Sequence, residues 1–348
     1  MLAVVCACLM LAGCSRPILK PPVPRPLSEG GRVALDSRAK GHVGGNGFWT
    51  RDRLAQAVRG GHPDQANPPS SNQPGQQKQP GQRQPSAQAT QLPASALNDP
   101  KLSNVQLGEG TVGVGENFIG LPQTGTFFYR TGPRSTAEYH TCSGSVVNSA
   151  SGTIVVSAAH CWYNVNAQSV VFIPQFSWVN GRARTPYGVW EMSGSTIYID
   201  PRYESEGDDG VAYDVAILTA APNVANQTIQ DVAGGLDMAI DSATQLSEVE
   251  IVGYPESDSS DHTYTTAYPR HCRNATTTYT EAGAKFFDIA CTGMAAGISG
   301  GPWLVRDHSN SWKIVAITGG GQDGGGYTDD ESVGVPMTAN VSALIRKA

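Results

Sequence analysis

Only 49 residues follow Ser299, and this limits what the chain can fold into. The serine lies in Gly297-Ile298-Ser299-Gly300-Gly301, which fits the Gly-x-Ser-x-Gly elbow at the top of an α/β-hydrolase sheet. In that architecture the acid and the histidine come after the serine. Here the sole histidine downstream is His308, nine residues on, and the remaining chain is too short for the rest of such a sheet. The glycines therefore need another explanation. Glycines beside a serine permit a tight turn and the close approach of another chain segment. Such a turn aims several N–H groups at one spot beside the hydroxyl. Acyl transfer needs that arrangement, because charge develops on the carbonyl oxygen under attack. Taken alone, the turn is equally well a Gly-rich loop with an incidental serine.

Two other stretches shift the balance. Thr153-Ile-Val-Val-Ser-Ala-Ala-His-Cys161 is a β-branched run that ends in small residues and then His160. Val211-Ala-Tyr-Asp-Val-Ala-Ile-Leu218 reads as an apolar strand interrupted by Asp214. A carboxylate in such a strand is costly unless it is paired. A histidine N–H satisfies it and fixes the tautomer that can act as a base. The chain order is thus His160, Asp214, Ser299. Asp200, Asp208, Asp209 and Asp231 sit in polar turns and read as solvated. From about residue 103 the texture is one of short β-rich runs bounded by Gly, Asn, Asp and Pro, which predicts an all-β fold. The candidates run from Phe127–Tyr129 to Ser332–Val335, and Thr338–Lys347 reads as a closing helix with Thr338 at its N-cap.

Ser157–Cys161, Asp214–Leu218 and Gly297–Pro302, in this order, resemble the three signature blocks of trypsin-like (chymotrypsin-fold) serine peptidases. Cys142-Ser-Gly-Ser-Val-Val-Asn148, Gly253-Tyr-Pro255 and Ser299–Trp303 resemble the secreted bacterial subgroup related to glutamyl endopeptidases, of actinobacterial type. The resemblance covers roughly residues 103–348. It implies two packed six-stranded antiparallel barrels, about 103–235 and 236–348, with a C-terminal helix and the site in the cleft between them. It implies Ser299 as nucleophile, His160 as general base and then acid, and Asp214 as its orienting partner. The N–H groups of Gly297 and Ser299 would form the oxyanion hole, and the chemistry needs no metal and no cofactor. The pocket for the residue before the cut would be lined by the segment before the serine and by a later strand: Gly293, Thr318, Gly319, Gly320 and Gly334. Gly293 stands where tryptic preference needs a carboxylate, and Thr318 where glutamyl endopeptidases carry a histidine, so a neutral pocket with Thr318 as a hydrogen-bonding wall is expected. Ile298 replaces the aspartate that pairs with the new N-terminus of activated trypsin-like zymogens, so other contacts must order the hole. The function expected is hydrolysis of polypeptides by an exported, monomeric endopeptidase. The alternative is an idle copy of the fold used as a binding module, or an esterase with the same acyl chemistry.

The chain before residue 103 differs in kind. Residues 1–13 form an apolar run too short to span a bilayer, which takes about 20 residues, and fit the core of a secretory signal. Leu11-Ala-Gly-Cys14 resembles a bacterial lipobox, so residues 1–14 read as a signal peptide with Cys14 lipidated as a membrane anchor, or else as an ordinary cleaved signal. Residues 15–102 read as a disordered linker, since 63–93 holds seven prolines and nine glutamines and little that could be buried. Phe48–Val58 is the exception, a short amphipathic helix that could dock or be a pro-segment remnant. The formal net charge of −6 argues against a nucleic-acid partner. Of seven cysteines, Cys6 and Cys8 fall in the signal. With Cys14 lipidated, Cys142, Cys161, Cys272 and Cys291 remain, which allow three connectivities. Cys142–Cys161 and Cys272–Cys291 close short loops, and the first matches a bridge of the resembled family.

Overall fold

The computed structural model describes residues 48–58, 112–178, 183–192, 197–206, 210–255, 268–294, 296–320 and 330–348, with backbone alone at 23–25, 42–44, 179, 182, 207–209 and 326–328. The lipobox and most of the linker lie outside these residues. Two large sheets each curl on themselves, beside two small two-stranded ones. In the first the strands follow the order 197–199, 216–219, 154–157, 138–146, 124–131, 168–174 and 190–191, all antiparallel. A bridge between Met192 and Ala220 brings its ends together. The three residues 23–25 add an edge strand beside 197–199. The second sheet orders 276–281, 284–292, 331–336, 312–318, 302–306, 249–253 and 270–274. The segment Gly113–Asn117 and a disulfide close it. Gly113–Val114 pairs with Cys291–Thr292 and Glu116–Asn117 with Arg270–His271, while Cys272 is bonded to Cys291. Gly113 is required there, because a Cβ would lie 2.6 Å from the Cys272 sulfur.

The all-β, double-barrel expectation thus holds, and β-branched runs such as Ile154–Ser157 and Val249–Gly253 lie where the sequence puts them. The link between barrels contains the helix Ile229–Ala233, begun by a capping box in which Thr228 and Asp231 bond reciprocally. The closing helix spans Ala339–Ile345, and Thr338 holds its N-cap position without a side-chain hydrogen bond. One strand expectation fails. Asp214 is not inside a strand: it follows a 3-10 turn, Gly207–Tyr213, and the strand starts only at Ala216. The turn lets the carboxylate leave the ladder and reach His160.

Within the 15–102 tract, the excepted stretch Phe48–Val58 does contain a helix. The helix Arg51–Val58 lies against the first barrel, with Phe48, Trp49, Leu54 and Ala57 fully buried. The Trp49 indole N–H donates to the Ser169 carbonyl, and its ring packs on Phe128 and Tyr139. Arg53 caps the turn by donating to the Phe48 carbonyl at 2.6 Å while lying over the Phe48 ring. Burying each large side chain is worth roughly 1.5–3 kcal/mol. The physical reason is that two adjacent aromatics with a short amphipathic helix bury enough apolar surface to offset ordering, which their Pro/Gln-rich surroundings cannot do.

Candidate active site

Three chain-distant segments come together around Asp214 and the serine turn. His160 follows Ile154–Ser157 at the end of its strand, and two tethers hold that end. The Ser157 hydroxyl donates to the Ser143 carbonyl at 2.8 Å, and Cys161 is bonded to Cys142. Asp214 is 2% exposed and accepts three N–H groups. The His160 backbone N–H reaches Oδ1 at 2.7 Å, and the His160 ring reaches Oδ2 through Nδ1 at 2.7 Å. The Gly320 N–H reaches Oδ2 at 2.8 Å. A buried carboxylate is tolerable only with such a complement of donors. Burial pushes the His160 ring toward a lower pKa, but the charge and hydrogen bond of Asp214 outweigh it and hold the value above the ordinary 6.5. Tyr203, whose hydroxyl burial and then the Asp214 charge push above its usual range, packs edge-on to Tyr163 beside the pair.

The serine turn is fixed by its backbone. Gly297, at φ +92°, makes a conformation that a side chain would strain. Its carbonyl accepts the Ser143 hydroxyl at 2.9 Å, and the same hydroxyl accepts the Tyr254 N–H at 2.8 Å. The Ser143 N–H donates to the Ser299 carbonyl and the Gly300 N–H to the Thr318 carbonyl. Gly300 lets this turn lie on the histidine strand, since a Cβ would sit 2.4 Å from the Ser157 hydroxyl and 2.7 Å from the Ala158 nitrogen. Ile298 takes the place of an ion pair with packing: it is 3% exposed and rests against Gly253, where a Cβ would meet it at 2.6 Å. Among the described residues, no protein group hydrogen-bonds the Ser299 hydroxyl, and the N–H groups of Gly297 and Ser299 have no protein acceptor. Catalytic hydrogen bonds are often long without substrate, so this leaves the hydroxyl and both donors available to a ligand.

The expected specificity residues divide. Thr318 is 1% exposed and its hydroxyl accepts the Trp303 indole N–H at 3.0 Å, so that oxygen is engaged by the core rather than offered as a wall. Gly334 lies over the same indole, where a Cβ would come within 2.8 Å of the ring. Gly319 and Gly320 serve Asp214, one by leaving it room and one by donating to it. Gly293 has the Arg270 guanidinium against it, 2.7 Å from where a Cβ would be, and that guanidinium also donates to the Gly115 carbonyl. Ser143 and Arg270 are the residues that sequence reasoning missed. Ser143 lies inside Cys142–Asn148, whose resemblance to the bacterial subgroup gives its serine no role.

A family model described as trypsin matches residues 118–343. Two solved structures overlay with the fold. A thermostable serine protease, AL20, from an extremophilic microorganism is 20% identical, with a TM-score of 0.52 over 65% of this chain and 96% of that one. The protease Anisep from Arthrobacter nicotinovorans is 22% identical, with a TM-score of 0.53 over 67% and 98%. No curated protein sequence matches the chain.

Proposed function

Since the chain belongs to the trypsin family, and so carries a serine-peptidase fold, we propose that it is an exported serine endopeptidase acting through His160, Asp214 and Ser299. The observation that carries the reading is the Asp214 carboxylate. It is buried and holds His160 by both the backbone and Nδ1. With Nδ1–H donated to Asp214, His160 Nε2 is the basic nitrogen. It takes the Ser299 proton as Oγ attacks the carbonyl carbon of the substrate. The oxyanion that forms accepts the N–H groups of Gly297 and Ser299, each worth on the order of 10²–10³ in rate. His160 then gives its proton to the departing amine, leaving Ser299 acylated. A water deprotonated by His160 releases the acid and restores the serine.

Two disulfides fit an oxidising, extracytoplasmic location, and Leu11-Ala-Gly-Cys14 supports a lipid anchor there. Intact-mass analysis should find lipid on Cys14, and an unmodified N-terminus downstream of it would instead mean free secretion. The test of the chemistry is labelling with a fluorophosphonate. The native chain should form a stoichiometric adduct on Ser299 and cleave casein, and Ser299→Ala should do neither beyond a residual 10³–10⁴ over water, an order of magnitude taken from other triads. An unlabelled native chain would mark the fold as an idle binding module. A labelled chain that cleaves esters but no peptide would mark an esterase.

A further inference from the structure

Three guanidinium groups gather on one aromatic ring where the docked helix meets the first barrel. Arg53 comes from the helix, Arg130 from the strand Thr124–Thr131, and Arg134 from the turn that follows it. Their central carbons lie 4.3, 5.0 and 5.6 Å from the centroid of the buried Phe48 ring. A ring has two faces, so at least two of the three cations share one. The face attracts each cation, but it does not cancel the repulsion between them. Burial, then the charge of Arg134 and, less, that of Arg53, pull Arg130 below its ordinary pKa, against the opposing effect of Tyr139.

No carboxylate relieves this crowding. Among the described residues, none of the three has an Asp or Glu within ion-pair distance, and Asp52 and Glu138, the acids nearest in sequence, are exposed. A guanidinium has five N–H donors. Arg130 gives one to the Ser169 hydroxyl at 3.3 Å and one to the Gly132 carbonyl, and Arg53 gives one to the Phe48 carbonyl at 2.6 Å. These acceptors are all neutral, whereas a buried cation calls for opposite charge. Arg130 is buried, Arg53 half-buried and Arg134 exposed, so the positive charge runs from the core out to solvent. It does so in a chain whose formal net charge is −6.

We propose that Arg53, Arg130 and Arg134 form a binding site for a phosphate group. Guanidinium forks match phosphate oxygens two at a time, and a terminal phosphate brings nearly two negative charges and three acceptor oxygens, more than a carboxylate offers. Arg53 and Arg134 hold the group, and Arg130 supplies charge from behind them. Since Arg53 belongs to the helix and the others to the barrel, a bound phosphate also clamps one to the other. Free phosphate and a lipid that ends in phosphate present the same chemistry. The test uses the full chain with Cys14→Ser, so that no lipid of its own can hold it to a membrane. Calorimetric titration with inorganic phosphate, at neutral pH and fixed ionic strength, should show one saturable site. Arg134→Gln or Arg53→Gln should weaken it by about tenfold, the scale of a charged hydrogen bond, and Arg134→Lys, which keeps the charge and loses the fork, by less. Arg306→Gln should leave it unchanged, since that guanidinium lies over the Trp312 ring, 3.9 Å from its centroid, in the second barrel. Cosedimentation with phosphatidylcholine vesicles containing phosphatidic acid separates the two sources. Retention that is lost in the Arg53→Gln, Arg134→Gln double variant identifies the lipid, and titration by phosphate without retention identifies a soluble phosphate. Binding in neither arm, retention that the double variant keeps, equal affinity for acetate, or equal weakening by Arg306→Gln overturns the proposal.

Discussion

The three N–H groups on Asp214 fix how His160 responds to pH. The base must be neutral to accept the serine proton, and its pKa lies above 6.5 in the fold. The acid limb of kcat/KM should therefore fall above that value, with activity lost as pH drops through it. Asp214→Asn removes the charge that raises the pKa and leaves the burial that lowers it. The limb should move to lower pH, while the rate falls by about 10⁴. A pH profile of the variant with an unmoved limb would contradict this role. The Arg270 guanidinium against Gly293 yields a second expectation: among matched peptides, Arg before the cut is cleaved at least about tenfold more slowly than Leu, a difference of about 1.4 kcal/mol. Arg270→Gln should narrow that gap, and equal rates in the native chain would remove Arg270 from the pocket. His160, Asp214 and Ser299 were legible because each sits in a patterned local run. Ser143 and Arg270 were not, because what matters is the partner, and for Ser143 the Gly297 carbonyl is 154 residues away.

At the scale of the element, strand patterning held wherever alternation or a β-branched run was long, and failed where one polar residue decided the backbone. Val211–Leu218 reads as one strand, but its first half is a 3-10 turn because Asp214 must meet three donors off the ladder. The second barrel depends on a small closure that no periodicity reveals. Gly113–Asn117 spans its seam, and the Cys272–Cys291 bond ties the two strands that the segment joins. Replacing both cysteines by Ala should cost roughly 3 kcal/mol, the chain-entropy value for a loop of this size, read as a fall in the denaturation midpoint. Cys142–Cys161 sits one residue from His160, so its loss should lower kcat as well as stability, whereas the second bond should affect stability alone. Equal effects on kcat from both would show that the distinction is wrong.

For the molecule as a whole, composition separates a β-rich domain from a Pro/Gln-rich leader, and Phe48–Val58 stands out of that leader by its local pattern alone, since Phe48 and Trp49 are too few to lift the average of the tract around them. Removing residues 1–47 should leave the barrels nearly as stable as before. Removing 1–58 uncovers Phe128, Tyr139 and Phe176 and takes away Trp49, a loss on the order of 3 kcal/mol, or on the order of 10 °C in melting temperature for a domain this large. Calorimetry on the two truncations would decide, and indistinguishable melting points would mean that the docked helix adds nothing. The docked helix and the barrels are held together by the covalent stretch 59–111 as well as by contact. As long as that stretch is intact, the helix docks as an intramolecular ligand whose local concentration is set by the tether and not by the amount of protein. A single nick within it would turn the chain into a two-part complex. Its stability would then depend on dilution, so one cut in that stretch would act as a slow, concentration-sensing timer on the protein.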